Sequence, residues 1–166
     1  MKPYKLEAPV VSLIEKTILE EYNAQYFYQA AANWCNEIGY MNAGKFFQAE
    51  SIDELTHSQG LQEYLVSWNV VPMLPNIPKP QCEFKTLPEI LENAYKMEYD
   101  LYELYDEISG KIFKMEDICT FDFLKKYREI QRLAVAEYSD FLNKLELIDV
   151  NNKLNVYLFE KEEFEK

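Results

Sequence analysis

The chain has 166 residues, 48% of them hydrophobic and 28% charged, with a formal net charge of -12. That much apolar material suits one packed domain and argues against wholesale disorder, while the acidic balance repels nucleic acid and anionic membranes and attracts cations. Only four glycines are present, too few for a turn-rich β architecture, and no apolar run approaches the roughly 20 residues of a membrane span.

Residues Met1 to Ala8 carry no long apolar stretch and no small-residue cleavage site, so no signal peptide is expected. Helical periodicity then predicts a first helix from about Val10 to Ile38, stopped by Gly39, and a second from about Asn42 to Trp68. The stretch Asn69 to Pro88 holds Pro72, Pro75, Pro78, Pro80 and Pro88, which excludes helix and predicts an extended connection. A third helix is predicted from about Pro88 to Lys114, a fourth from Asp117 or Thr120 to Leu147, and a short amphipathic piece from Leu154 to Phe164. Each long helix spans roughly 40 Å, and an extended linker of about twenty residues reaches roughly 60 Å. The expected fold is therefore all-α: one domain over residues 1–166, with a four-helix bundle over about 10–147. A long crossover joins helices 2 and 3, and a short fifth helix covers about 154–164.

Cys35, Cys82 and Cys119 are odd in number, far apart and form no C-x-x-C. Neither a disulfide framework nor a rubredoxin-type iron site is expected, and a cytoplasmic location fits.

Reading each helix at steps of three and four gives four core-facing stripes. The first is Ile14, Ile18, Glu21, Gln25, Tyr28, Ala32, Cys35; the second is Ala43, Phe47, Glu50, Glu54, His57, Leu61, Tyr64, Trp68. The third is Leu87, Leu91, Ala94, Glu98, Leu101, Tyr105, Ile108, Ile112; the fourth is Leu124, Tyr127, Gln131, Ala134, Tyr138, Phe141, Leu145. Every stripe is interrupted by a residue able to ligate a metal. Glu54-Leu55-Thr56-His57 contains the one histidine of the chain and puts a carboxylate and an imidazole on one helix face. Glu98 is the polar exception in its stripe. Glu21 lies roughly 15 Å along its helix and Glu54 roughly 20 Å along the antiparallel next one, so they meet near mid-bundle, at a depth shared by Glu98 and Gln131. A buried carboxylate costs several kcal/mol, and no Lys or Arg shares these positions except Arg132, one residue off. Divalent cations offset the cost. Carboxylate and imidazole with open positions suit Fe(II), and Mn(II) or Zn(II) less selectively. A solvated Glu-x-x-His face, a packed Tyr28 and a satisfied core amide at Gln131 are the plainer readings of each part taken singly.

With these residues, the chain resembles the non-haem ferritins over nearly its whole length. The carriers are Glu21-Tyr22-Asn23-Ala24-Gln25-Tyr26-Phe27-Tyr28-Gln29 with Trp34-Cys35, Asp53-Glu54-Leu55-Thr56-His57, Lys96-Met97-Glu98, and Phe121 to Leu124 with Tyr127-Arg128-Glu129-Ile130-Gln131. The resemblance implies two iron ions per subunit at an H-type-like ferroxidase centre. Glu21 is then a ligand of the first iron, Glu54 bridges both, His57 binds the first, Glu98 serves the second, Gln131 stands near it, and Tyr28 lies beside the centre. It further implies oxidation of Fe(II) by oxygen or hydrogen peroxide, and storage of ferric mineral in a homo-oligomeric shell of twenty-four subunits. The short terminal helix would line one set of pores and Glu116, Asp117 and Asp122 another.

Departures narrow the expectation. Where many bacterial relatives carry fourth-helix glutamates for a third iron, this chain has Ile130, Leu133 and Ala134, leaving Asp53 and Glu137 as weak substitutes. Leu55 replaces the haem-binding methionine of bacterioferritins, so no haem is expected. The alternatives are a rubrerythrin-type di-iron peroxidase, disfavoured by the missing C-x-x-C pairs, a non-catalytic shell subunit, and a twelve-subunit DNA-protecting cage, whose ligands usually span a subunit interface.

Overall fold

In the computed structural model, which describes residues 4–165, every predicted helix forms and no strand is present among the described residues. The helices are α1 Ala8–Ile38, α2 Met41–Ser67, α3 Leu87–Lys114, α4 Ile118–Leu145 and α5 Lys153–Phe164. Their ends follow local chemistry. Proline sits in the first turn of α1 and of α3, where its missing N–H has no helical partner to lose. Gly39 closes α1 at φ 105°, and the amides of Gly39 and Tyr40 donate to the Cys35 carbonyl at 3.0 and 2.8 Å. Thr86 caps α3 by accepting from the Glu89 amide at 3.2 Å, and Glu89 reaches back to the Lys85 amide at 2.6 Å. Asp117 caps α4 through the Thr120 amide at 3.0 Å and Asn152 caps α5 through the Leu154 amide at 3.0 Å. Asp117 is engaged in this cap, while Glu116 and Asp122 are exposed.

α2 has no side-chain cap of its own. Glu160, fully buried on α5, supplies one: its Oε1 accepts from the amides of Asn42 and Ala43 at 2.7 and 3.0 Å. A carboxylate there satisfies two orphan donors and the positive end of the helix dipole together. α5 is held against the bundle by this bond and by Phe159 and Phe164, which pack into the core beside Phe46 and Phe47.

α1 pairs with α2 and α3 with α4, α1 also packs on α3, and the crossover over 68–86 connects the two hairpins. The interior divides in two. One apolar core gathers Tyr28, Phe47, Leu91, Ala94, Tyr138 and Phe141; the other gathers Ile14, Ile18, Leu61, Leu101, Tyr105, Leu124 and Tyr127. On every long helix the chain passes from one core to the other across a buried polar residue: Glu21, Glu54, Glu98 and Gln131. The third stripe is buried at all eight predicted positions. The first is rotated slightly: Ala24 is buried where Gln25 was expected, and Gln25 is half-buried.

Glu160→Ala is expected to lower stability by about 2 kcal/mol, since it strands the buried Ala43 amide and the half-buried Asn42 amide. Urea unfolding checks the loss, and faster amide exchange at Asn42 and Ala43 locates it. Glu160→Gln should recover most of it, because its carbonyl can accept both bonds.

Candidate metal centre

The polar belt is built by packing two hairpins with their interruptions in register. Glu21 on α1, Glu54 and His57 on α2, Glu98 on α3 and Gln131 on α4 converge in mid-bundle. Glu21, Glu54, Glu98 and Gln131 are 0, 5, 1 and 1% exposed, and the His57 side chain is 17% exposed.

Glu21, Glu54 and His57 bring one ligating atom each within 4.8 Å of one another, and no other such group of three occurs among the described residues. His57 Nδ1 lies 3.0 Å from Glu54 Oε2 and 3.5 Å from Glu21 Oε2. Glu98 stands apart from that trio. Its carboxylate accepts from the Tyr28 hydroxyl and from Gln131 Nε2, and Gln131 Nε2 also reaches the Glu98 carbonyl at 3.4 Å. The residues singled out in the sequence thus come together as two adjoining groups, Glu21–Glu54–His57 and Glu98–Gln131–Tyr28. Asp53 and Glu137 join no three-ligand group among the described residues. Arg132 pairs with Glu129 on the surface instead of approaching the belt, its position lying one step around the helix from Gln131.

Two groups escaped the sequence reading. The Tyr105 hydroxyl donates to Glu21 Oε1, mirroring the Tyr28 bond to Glu98. Position 105 reads as an ordinary core site, and its partner lies 84 residues away, so spacing carries no sign of the bond. Glu50, one turn before Glu54, accepts from the Tyr138 hydroxyl at 3.4 Å. Its place in the second stripe was a signal that could have been followed. Close above the belt, Gly60 makes room for Tyr127. A Cβ at position 60 would come within 2.5 Å of the Tyr127 hydroxyl, which donates to the His57 carbonyl at 3.4 Å.

The electrostatics are those of a metal-free ligand set. Burial drives the Glu54 carboxyl well above its usual range, and the facing Glu21 and Glu98 push it further. Burial also pushes Glu21 up, but the Glu54 carboxyl, the His57 ring and the Tyr105 hydroxyl outweigh it and leave Glu21 lowered. Burial and repulsion thus favour the neutral form of Glu54, while its neighbours favour the charged form of Glu21. Burial disfavours a charged His57, yet Glu21, Asp53 and Glu98 raise its pKa overall. Burial lifts Glu98 to about 7, with Glu21 adding to the effect, and lifts Glu50 to about 8, with Glu98, Glu137 and Asp53 adding. Glu21 Oε2 is buried without a hydrogen-bond partner. The ion pairs of Lys and Arg among the described residues lie elsewhere, at Lys111–Glu107, Arg132–Glu129, Lys144–Glu163 and Lys161–Glu160. An orphaned carboxylate oxygen, a second carboxyl group and an imidazole nitrogen make a donor set suited to a divalent cation.

The family model described as ferritin-like domain matches residues 11–148. The chain is 29% identical over 158 residues to a "Probable bacterial non-heme ferritin-like protein" of Haemophilus influenzae, covering 95% of this chain and 94% of the relative. It is 26% identical over 162 residues to a "Bacterial non-heme ferritin" of Escherichia coli, covering 98 and 94%. It is 27% identical over 143 residues to one of Campylobacter jejuni, covering 86% of each. Among solved structures, the fold is shared with an open-pore ferritin from Archaeoglobus fulgidus at a TM-score of 0.90 and 20% identity, covering 97% of this chain and 98% of that one. A humanized archaeal ferritin gives the same TM-score at 22% identity, covering 98 and 99%.

In the unfolded chain Glu50 and Glu98 ionise near 4.5, whereas in the fold they keep their protons to about 8 and about 7. The folded state binds more protons between those limits, so the metal-free protein loses stability as pH rises from 4.5 through 7 to 8. The raised His57 acts in the same direction, while the lowered Glu21 contributes stability that is already complete at neutral pH. Thermal unfolding of metal-stripped protein should show a lower Tm at pH 9 than at pH 6, and Glu50→Gln should flatten that slope.

Proposed function

The chain belongs to the ferritin family, and from that premise we propose that it stores and detoxifies iron by oxidising Fe(II) within each subunit. The observation that carries the reading is the Glu21–Glu54–His57 trio inside an apolar bundle. Three buried carboxylates with one imidazole and no cationic side chain are tolerable at neutral pH only with protons or metal ions, and Fe(II) is the substrate that family membership supplies.

In this reading Glu21 and His57 hold one Fe(II), Glu98 and Gln131 the second, and Glu54 lies between them. A bound cation favours the charged forms of Glu54 and Glu98, whose pKa values burial raises, so iron uptake releases protons. Each Fe(II) then gives up one electron. The pair reduces dioxygen and two protons to hydrogen peroxide, or hydrogen peroxide to water. Tyr28 and Gln131 donate to Glu98 and fix its orientation, and Tyr105 does the same for Glu21. The apolar cores on both sides keep bulk water from the carboxylates and strengthen their hold on the cation. The ferric product moves on to a mineral enclosed by a homo-oligomeric shell, taken as twenty-four subunits. The ligand set contains no haem ligand pair and no thiolate. No helix among the described residues is long and apolar enough to cross a membrane.

Stopped-flow mixing of Fe(II)-loaded protein with oxygen tests this directly. His57→Ala and Glu98→Ala are each expected to slow oxidation by more than about tenfold, with His57→Ala also removing the tighter of two Fe(II) binding steps in calorimetry. Wild-type rates in both variants would overturn the assignment. A native mass of roughly half a megadalton is expected for the shell; a dimer would favour the peroxidase alternative.

A further inference from the structure

Carboxylates line the surface hollows of this acidic chain at several places. Glu20 and Asp100 border the groove between α1 and α3, and Glu7, Glu116 and Asp117 border the one beside the α3–α4 turn. One cavity departs from that pattern. At the opposite end of the bundle a hollow of about 480 Å³ lies where the α1–α2 turn, the start of α3 and α5 meet. No acidic residue lines it, whereas Lys85, just before α3, and Lys153, the first residue of α5, both do. Both lysines are exposed. Neither forms a salt bridge among the described residues, where the lysines so paired are Lys111, Lys144 and Lys161. Glu89 feels the Lys85 charge, but its carboxylate is engaged by the Lys85 amide and by Gln81. In a chain of net charge -12, two cations on a hollow without a carboxylate in its walls favour an anion there.

The remaining wall is apolar and rich in rings. Trp34 and Tyr40 stand with centroids 6.2 Å apart and planes 35° from parallel, and Tyr157 lines the α5 side. Ile38, Val150 and Tyr157 are 53, 40 and 45% exposed, so apolar surface that folding leaves in water converges on this one hollow. Gly39 keeps it open, since a Cβ added there would meet nothing within 4 Å. Apolar walls with a few polar groups, at a volume between about 300 and 1,000 Å³, are the marks of a small-molecule site. Rings set at an angle offer a flat aromatic guest both a face and an edge to pack against, an advantage a flexible acyl chain cannot use.

We propose that this cavity binds an aromatic carboxylate, its ring against Trp34, Tyr40 and Tyr157 and its charge held by Lys85 and Lys153. Such a guest joins α5 to the start of α3 and to the α1–α2 turn. α5 carries Glu160, whose carboxylate caps α2, so occupancy favours the docked α5 and the completed cap together. The cavity lies apart from the carboxylate belt, and the inference does not rest on the iron reading.

Isothermal titration calorimetry of the full-length protein in its native assembly, with 1-naphthoate as the probe, tests the site. Saturable binding of one naphthoate per chain is expected. 1-Naphthalenemethanol lacks the charge, acetate lacks the ring, and octanoate replaces the ring by a flexible chain; each should bind at least about tenfold more weakly. Lys85→Gln with Lys153→Gln should weaken naphthoate binding by about tenfold. Lys111→Gln with Lys125→Gln makes the same charge change at the other end of the bundle and should leave binding as it is. Bound naphthoate should also slow amide exchange at Asn42 and Ala43. No saturable binding, a neutral alcohol, acetate or octanoate bound as tightly as naphthoate, or equal weakening by both lysine pairs overturns the site. Binding that leaves exchange at Asn42 and Ala43 unchanged overturns its coupling to α5. Failure of the same preparation to oxidise Fe(II) would strike the iron reading and leave this site standing.

Discussion

Everything in this bundle answers to one constraint, the presence of three carboxylates where four helices would otherwise close an apolar interior. An isolated buried carboxylate costs several kcal/mol, and here Glu21, Glu54 and Glu98 repel one another as well. The fold accommodates them by splitting its core. Two apolar clusters lie to either side of the layer that carries these carboxylates. Within that layer each oxygen is given a partner where one can be found. Tyr28 and Gln131 attend Glu98, Tyr105 attends Glu21, and the His57 ring attends Glu54. What remains, notably Glu21 Oε2, has no hydrogen-bond partner and is the atom the proposed cation would take up. The site is thus a compromise between a state that folds without metal and one that binds it.

Rigidity follows from the same arrangement. The ligands come from four helices, so their relative placement depends on how the hairpins dock rather than on any loop. Short connections fix α1 on α2 and α3 on α4, while the proline-rich crossover ties the two hairpins together only loosely in sequence. Docking is specified instead by contacts between the hairpins, including the two tyrosine hydroxyls and the stacking of Tyr28 on Tyr138.

Periodicity made most of this readable beforehand. The five helices, the crossover and the depth of the polar layer came from spacing and proline placement, because amphipathic helices advertise their buried faces. Glu98 was conspicuous as a carboxylate in an otherwise apolar stripe, and Glu54 with His57 as a pair one turn apart. What escaped notice shares a physical cause. Tyr105 and Tyr138 act through a single hydroxyl at the end of a large apolar ring, so in a stripe they look like packing, and their partners lie on other helices. Glu160 was invisible for a related reason: the donors it satisfies are backbone amides, which have no letter in the sequence. The division of the ligands into a trio and a separate Glu98 group depends on rotamers that spacing does not encode.

Gly60 is the least conspicuous residue near the site, and its bare α-carbon carries a consequence for how such chains can diverge. The Tyr127 hydroxyl occupies the volume any side chain at 60 would claim, and the same ring stacks on Tyr105. Position 60 is therefore not free to drift alone. A larger residue there requires the Tyr127 hydroxyl to move aside, and its ring is the one stacked on Tyr105, the donor to Glu21. The two positions should be inherited as a couple, and a helix–helix spacing should be counted among the heritable traits of the iron site.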